Sequence, residues 1–170
     1  MSARRELIFY ATPTGALAEE CRAYFEWAEC RPTTAQTYPP HVTLTGFFHR
    51  TDEGVGRAVN DVEGVLRRHG HPPEGSVTVE ELRIDTNWVG LVVTSDWLID
   101  VTADLVGHHA VGPGDDALRP KDWLHLSLAY GVDDLRPHAA RAGSFDAGAD
   151  GGWELGLYER RHDGSWSRLR

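Results

Sequence analysis

Two four-residue segments set the terms for how this chain can fold. His41-Val42-Thr43-Leu44 opens the run HVTLTGFF, and His125-Leu126-Ser127-Leu128 opens the run HLSLAYG. Each places a histidine and a small hydroxyl residue two apart in an apolar, β-prone stretch. Strand side chains alternate between faces, so His41 and Thr43 point one way and Val42 and Leu44 the other; the second segment behaves alike. Two strands from distant parts of the chain must therefore lay their aliphatic sides on a core. Their other sides can bring two imidazoles and two hydroxyls to one cleft.

The rest of the sequence supplies elements that suit such an arrangement. Glu6 to Ala11 reads as a first strand, followed by a turn at Thr12-Pro13-Thr14-Gly15. Ala16 to Cys30 reads as a helix burying Leu17, Tyr24 and Trp27. Pro32, Pro39 and Pro40 stiffen the loop that delivers the chain to His41, and Pro40 holds Pro39 extended. Gly46 to Arg50 leaves the motif strand, and Asp52 to His69 forms a second helix with Val55, Val59, Val62 and Leu66 at helical spacing.

Ser76 to Asp85 and Asn87 to Thr94 read as two strands about a tight turn. Asp96 to Val106 is a third helix with Leu98, Val101 and Leu105 on one side, and Gly107 to Pro120 a loop. Trp123 to Tyr130 carries the second motif, Leu135 to Ala142 a short helix, and Trp153 to Arg160 a closing strand. The order β-α-β-α-β-β-α-β-α-β puts the motifs in comparable places of the two halves. One domain of two similar lobes, spanning residues 1–170, is expected.

Composition narrows the partners. The chain has 170 residues and 41% hydrophobic content, enough for one domain with a real core. With 26 acidic and 17 basic residues its formal charge is -9, which argues against long nucleic acid, since each phosphate contact needs a cation. A nucleotide or short RNA end held by a few donors remains compatible. Cys21 and Cys30 fall on nearly opposite faces of the first helix, so free thiols and a cytoplasmic location are expected. No apolar run approaches the roughly 20 residues of a membrane span, and a monomer is expected.

The residue types fit phosphoryl transfer. Imidazole titrates near neutrality, so one ring can act as base and the other as acid. Thr43 and Ser127 would lie roughly 6–7 Å along their strands from the histidines and can donate to phosphate oxygens. Thr45 and Ala129 continue the same faces by alternation, and Thr45 is a further candidate donor. Tyr10 and Trp88 either line the cleft or pack in the core. Tyr130, an odd number of residues from His125, falls on the core side. Lys121 and Arg119 precede the second motif and could approach a phosphate, although position alone also fits a solvated surface.

Both motifs stand intact in the form that names the 2H phosphoesterase superfamily, which the sequence resembles. Within it, the chain is most similar to the 2H domain of the T-cell ubiquitin ligand proteins, through YATPTGAL, PPHVTLTGFF, NWVGLVV, LHLSLAYG and WELGLYER. The resemblance implies an α+β, bilobal fold, with antiparallel strands lining a central cleft and helices outside. It implies hydrolysis of nucleotide or RNA phosphodiesters, often 2′,3′-cyclic phosphates, without metal or cofactor. By the same resemblance, His41 and His125 are the catalytic pair, and Thr43 and Ser127 hold the phosphate.

Competing chemistries lack their residues. His69, His71, His108 and His109 come without the cysteines or spacing of a zinc site and read as solvated loop residues. Asp115-Asp116 lacks the spaced ligands of a calcium loop. There is no G-x-S-x-G elbow and no phosphate-binding G-x-x-x-x-G-K-[ST] loop. The alternative from another class is a non-catalytic module that sequesters a cyclic nucleotide or oligonucleotide signal in the same cleft.

Overall fold

Alternating apolar residues in the strands and three-to-four spacing in the helices produce twelve elements among the residues that a computed structural model describes, 4–29, 31, 38–109 and 111–170. In chain order they are β1 (Arg5–Pro13), α1 (Gly15–Ala28), β2 (Val42–Thr43), β3 (Phe48–Arg50), α2 (Asp52–His69) and β4 (Thr78–Ile84). Then come β5 (Trp88–Thr94), α3 (Asp96–His108), β6 (His125–Tyr130), α4 (Arg136–Ala142), β7 (Trp153–Arg160) and β8 (Trp166–Arg168). The eight strands form one antiparallel sheet in the order β4-β5-β6-β2-β1-β7-β8, with β3 also paired to β1. The fold is α+β, as expected.

Strand alternation sorts this sheet into two faces. Leu7, Phe9 and Ala11 of β1, Val42 and Leu44, Val89, Leu91 and Val93 of β5, and Leu126 and Leu128 of β6 all enter one buried cluster. The apolar sides of α1 (Leu17, Cys21, Tyr24), α2 (Val55, Ala58, Val62, Val65) and α3 (Leu98, Val101, Leu105) enter the same cluster. The helices therefore pack on one face of the sheet. Ile8 and Tyr10 point to the other face, where they meet Tyr158. The motif histidines and hydroxyls share that second face.

Local chemistry sets the helix starts. The Thr51 side chain accepts from the Gly54 N–H at 3.2 Å and the Ser95 side chain from the Leu98 N–H at 3.1 Å, so α2 and α3 begin on capped donors. Asp52 and Glu53 open α2 while Arg67, Arg68 and His69 close it, both in accord with the helix dipole. At the end of α1, Cys30 and Pro32 lie outside the described residues; Cys21 is buried and free.

Several expectations need correction. β1 runs through Thr12 and Pro13, pairing with Glu154 and Trp153, where a turn was expected. Pro13 is its last residue, where a missing N–H interrupts no further ladder. β3 and β8 are three-residue strands, too short to show a period. The loop residues assigned to solvent are largely engaged. Arg50 is fully buried, and its Nη1 donates to the His49 and Asp116 carbonyls at 2.7 and 2.6 Å.

Arg50 Nη2 is also hydrogen-bonded to His109 Nε2, and His109 Nδ1 lies 2.6 Å from an Asp61 carboxylate oxygen. Asp115 accepts from the backbone of Thr51 and Gly112 and from Arg57. His69 and His108 both pair with Asp104, His108 while exposed; His71 is exposed as well and fits the solvated reading. The network anchors the loop that leads to β6, and thereby helps fix the second motif.

Candidate functional site

β2 and β6 are neighbours in the middle of the sheet, antiparallel, with Val42 paired to Leu126. One residue further each way, this register sets His41 opposite Ser127 and Thr43 opposite His125. Directly opposed residues on one face have Cβ atoms about 4.5–5.5 Å apart, so the four side chains form a compact quartet with the imidazoles on one diagonal. All four line a cleft of about 330 Å³, together with Tyr38, Pro39, Trp88 and Tyr130. Its volume is at the small end for ligand pockets.

The two histidines are held in the same way. His41 Nδ1 is 2.6 Å from the Pro39 carbonyl, and His125 Nδ1 is 3.4 Å from the Trp123 carbonyl, each two residues upstream. A carbonyl oxygen only accepts, so each Nδ1 carries the hydrogen and donates it. In the neutral rings Nε2 is then the free acceptor. Each imidazole also has an aromatic ring flat against it: Tyr10 on His41, with centroids 3.7 Å apart, and Trp123 on His125, at 4.0 Å.

Their surroundings differ in degree. Burial pushes the His41 pKa down to about 4; the Pro39 carbonyl opposes this, and the charge of His125 adds to it. Burial also lowers the His125 pKa, opposed by the Trp123 carbonyl and assisted by the charge of Lys121. His41 is thus the ring held more firmly neutral.

Trp88 and Tyr130 enter the cleft for related reasons. The Trp88 indole N–H donates to Ser127 Oγ at 2.8 Å, and the indole meets the His125 ring edge-on at 5.5 Å. On β6, Gly90 of β5 pairs with Ser127 and Val89 with Ala129, which leaves Leu128 as the extra residue of a bulge. The bulge shifts the alternation by one. Leu128 and Ala129 both face the core, and Tyr130 returns to the cleft face. Strict alternation had placed Ala129 and Tyr130 the other way round; nothing in HLSLAYG marks the bulge. Burial, followed by interaction with Tyr38, raises the Tyr130 phenol to about 12.

The other candidates fall outside the cleft wall. Thr45 is fully buried, and its Oγ1 accepts from the Phe9 N–H at 3.2 Å, so it completes the β1 hydrogen bonding between β2 and β3. Tyr10 is 1% exposed and acts from behind His41 rather than as cleft lining. Lys121 is exposed; its N–H donates to the Leu44 carbonyl at 2.9 Å, and its side chain acts on the site through charge alone. Tyr38 and Pro39 are cleft residues that sequence reasoning did not select. Pro39, two residues before His41, matches Trp123, two before His125, a parallel visible once the motifs are aligned.

A larger groove of about 970 Å³ lies at the far end of β1 and β7. It is walled by internally satisfied ion pairs, Arg5 with Glu159 and Arg160 with Glu6, and includes no motif residue. Among the described residues, no group of three or more His, Cys, Asp or Glu is placed to hold a metal ion. No described helix is long and apolar enough to cross a membrane.

Comparison with known proteins gives low-identity relatives. No family model matches the chain. The chain is 26% identical to the ecdysteroid-phosphate phosphatase of Bombyx mori over 166 residues, covering 92% of this chain and 24% of that protein. It is 28% identical to ubiquitin-associated and SH3 domain-containing protein B of mouse and of human over 131 residues, covering 74% of this chain and 20% of each relative. The chain thus spans about a quarter or less of the curated relatives it matches, and its similarity to them extends over most of its own length.

Proposed function

We propose that the chain is a phosphoesterase of the 2H type that hydrolyses a nucleotide or short-oligonucleotide phosphodiester, a 2′,3′-cyclic phosphate foremost, without a metal ion. The observation that carries this reading is the quartet of His41, Thr43, His125 and Ser127 around one cleft, with both rings presenting Nε2. The similarity to a protein named as a phosphatase supports the broader phosphoesterase assignment. In this reading the sheet consists of two lobes, β4-β5-β6 and β2-β1-β7-β8, that meet at the β2–β6 seam.

The roles follow from the environments. His41, held neutral by burial, takes a proton from water at Nε2 as the water oxygen bonds to phosphorus. The bond from phosphorus to one ribose oxygen breaks, and Nε2–H of protonated His125 supplies the proton to that oxygen. Thr43 and Ser127 donate to the non-bridging oxygens, where charge develops. The products are a phosphomonoester and a free ribose hydroxyl.

Charge favours a diester. Among the described residues, no lysine or arginine lines the cleft. One imidazolium balances the single charge of a phosphodiester, while a monoester dianion would bring a second, uncompensated charge into a partly desolvated site. The test is a panel of 2′,3′-cyclic nucleotides, 2′,5′- and 3′,5′-linked dinucleotides, cyclic dinucleotides and phosphomonoesters, each with and without EDTA. EDTA-resistant turnover confined to diesters is expected. Binding without turnover would replace the enzyme with a sequestering module, and loss of turnover in EDTA would overturn the metal-free mechanism.

A further inference from the structure

Ser127 differs from an ordinary strand serine in what reaches it. Trp88 is paired to Tyr130, while Gly90 is paired to Ser127, and Trp88 and Gly90 share the cleft face of β5. A Cβ built on Gly90 would lie 2.3 Å from Cζ2 of the Trp88 indole and 2.3 Å from the Leu126 carbonyl oxygen. The indole therefore occupies the space that a side chain at position 90 would need. Lying there, it brings its N–H to Ser127 Oγ at 2.8 Å. The glycine and the bulge at Leu128 together make this reach possible.

An indole N–H only donates, whereas a serine hydroxyl has acceptor lone pairs and one hydrogen to give. With a lone pair of Oγ taken by Trp88, the hydroxyl hydrogen is left for another acceptor, and Ser127 lines the cleft. We propose that Trp88 is a positioning residue, which uses the space left by Gly90 to fix Ser127 as a hydrogen-bond donor into the cleft. Its catalytic consequence rests on the phosphodiesterase reading; the hydrogen bond itself does not. In the transition state the Ser127 O–H then meets a phosphate oxygen without first breaking a competing contact. Trp88 acts in this reading through Ser127.

The test has two arms. In the first, the Trp88 indole ¹H–¹⁵N signal, assigned by its absence in Trp88→Phe, is compared between wild type and Ser127→Ala. A clear shift and faster solvent exchange on loss of the hydroxyl are expected; an unchanged signal overturns the proposal. In the second, kcat and KM for a 2′,3′-cyclic nucleotide are measured for wild type, Trp88→Phe, Ser127→Ala and the double variant. Loss of one neutral hydrogen bond should lower kcat about 3- to 10-fold in the wild-type background and change it little when Ser127 is already alanine.

An equal loss in both backgrounds would mean that Trp88 only shapes the cleft, and would overturn the positioning role. Should wild type turn over no phosphodiester, the functional reading fails, and the indole signal alone decides whether Trp88 positions Ser127. That arm needs only wild type and Ser127→Ala to be folded, with the indole assigned by backbone-linked experiments if Trp88→Phe does not fold.

Discussion

Val42 and Leu126 face each other across β2 and β6, and this one pairing brings residues 41 and 43 together with 125 and 127. The apolar pair points into the core, so the polar quartet is held by buried packing on its reverse side.

Removing either hydroxyl should then affect the chemistry more than the fold. In the proposed mechanism Thr43→Val and Ser127→Ala would each lose a hydrogen bond to a charged phosphate oxygen, and about a 10- to 100-fold fall in kcat/KM is expected. Thr43→Ser should retain most of the activity. Steady-state kinetics alongside thermal melts would check both. Full activity in Thr43→Val would remove Thr43 from the site.

The pH profile should be displaced to the acid side. In the proposed mechanism catalysis needs His41 neutral, so kcat/KM should rise as pH increases through about 4. It also needs His125 protonated, so kcat/KM falls as pH increases through a value below the ordinary 6.5. The predicted optimum in kcat/KM lies between these limits. A bound phosphodiester anion favours the imidazolium, so the alkaline limb of kcat should lie higher than that of kcat/KM. An optimum above pH 7 in kcat/KM would reject this assignment of acid and base.

Stability should fall as the solution is acidified. Burial lowers the pKa of His41, His109, His125 and His138 in the folded chain. Below 6.5 the unfolded chain therefore binds more protons than the folded one, and stability rises with pH in that window. The contribution is complete above 6.5 and is lost as pH drops toward about 4, the His41 value. Urea midpoints at pH 5 and pH 7 should differ, with pH 7 higher; equal midpoints would contradict the buried neutral histidines.

Two glycines should respond in opposite ways to alanine. Gly90→Ala collides with the Leu126 carbonyl and the Trp88 ring and should cost about 1–3 kcal/mol. Gly56 lies in the interior of α2 with nothing within 4 Å of an added Cβ, so Gly56→Ala should stabilise by about 0.5–1 kcal/mol. Urea denaturation of both variants checks the pair. An unperturbed Gly90→Ala would mean that the Trp88 indole does not lie where the structure places it.

Much of this arrangement is legible in the sequence because hydrophobic period carries it. The bounds of α2 and β7 match the periodic segments as read, and the alternation in HVTL and HLSL correctly assigns Val42, Leu44, Leu126 and Leu128 to the core. What escapes notice depends on tertiary pairing. The bulge at Leu128 arises from register with β5, and it alone moves Tyr130 into the cleft and Ala129 out of it. Thr45 faces inward because β2 stops pairing after Thr43 and the Phe9 N–H needs an acceptor. His109 and Asp115 look like loop residues until Arg50, distant in sequence, is seen buried beside them.

The central claim is that His41 and His125 together catalyse phosphodiester hydrolysis. Its most direct test is the turnover of a 2′,3′-cyclic nucleotide, in EDTA at the optimal pH, by wild type, His41→Ala and His125→Ala, each confirmed folded by circular dichroism. The account predicts metal-free turnover by wild type and a loss of about 10²- to 10⁴-fold in each variant. Wild-type rates in either folded variant would contradict it.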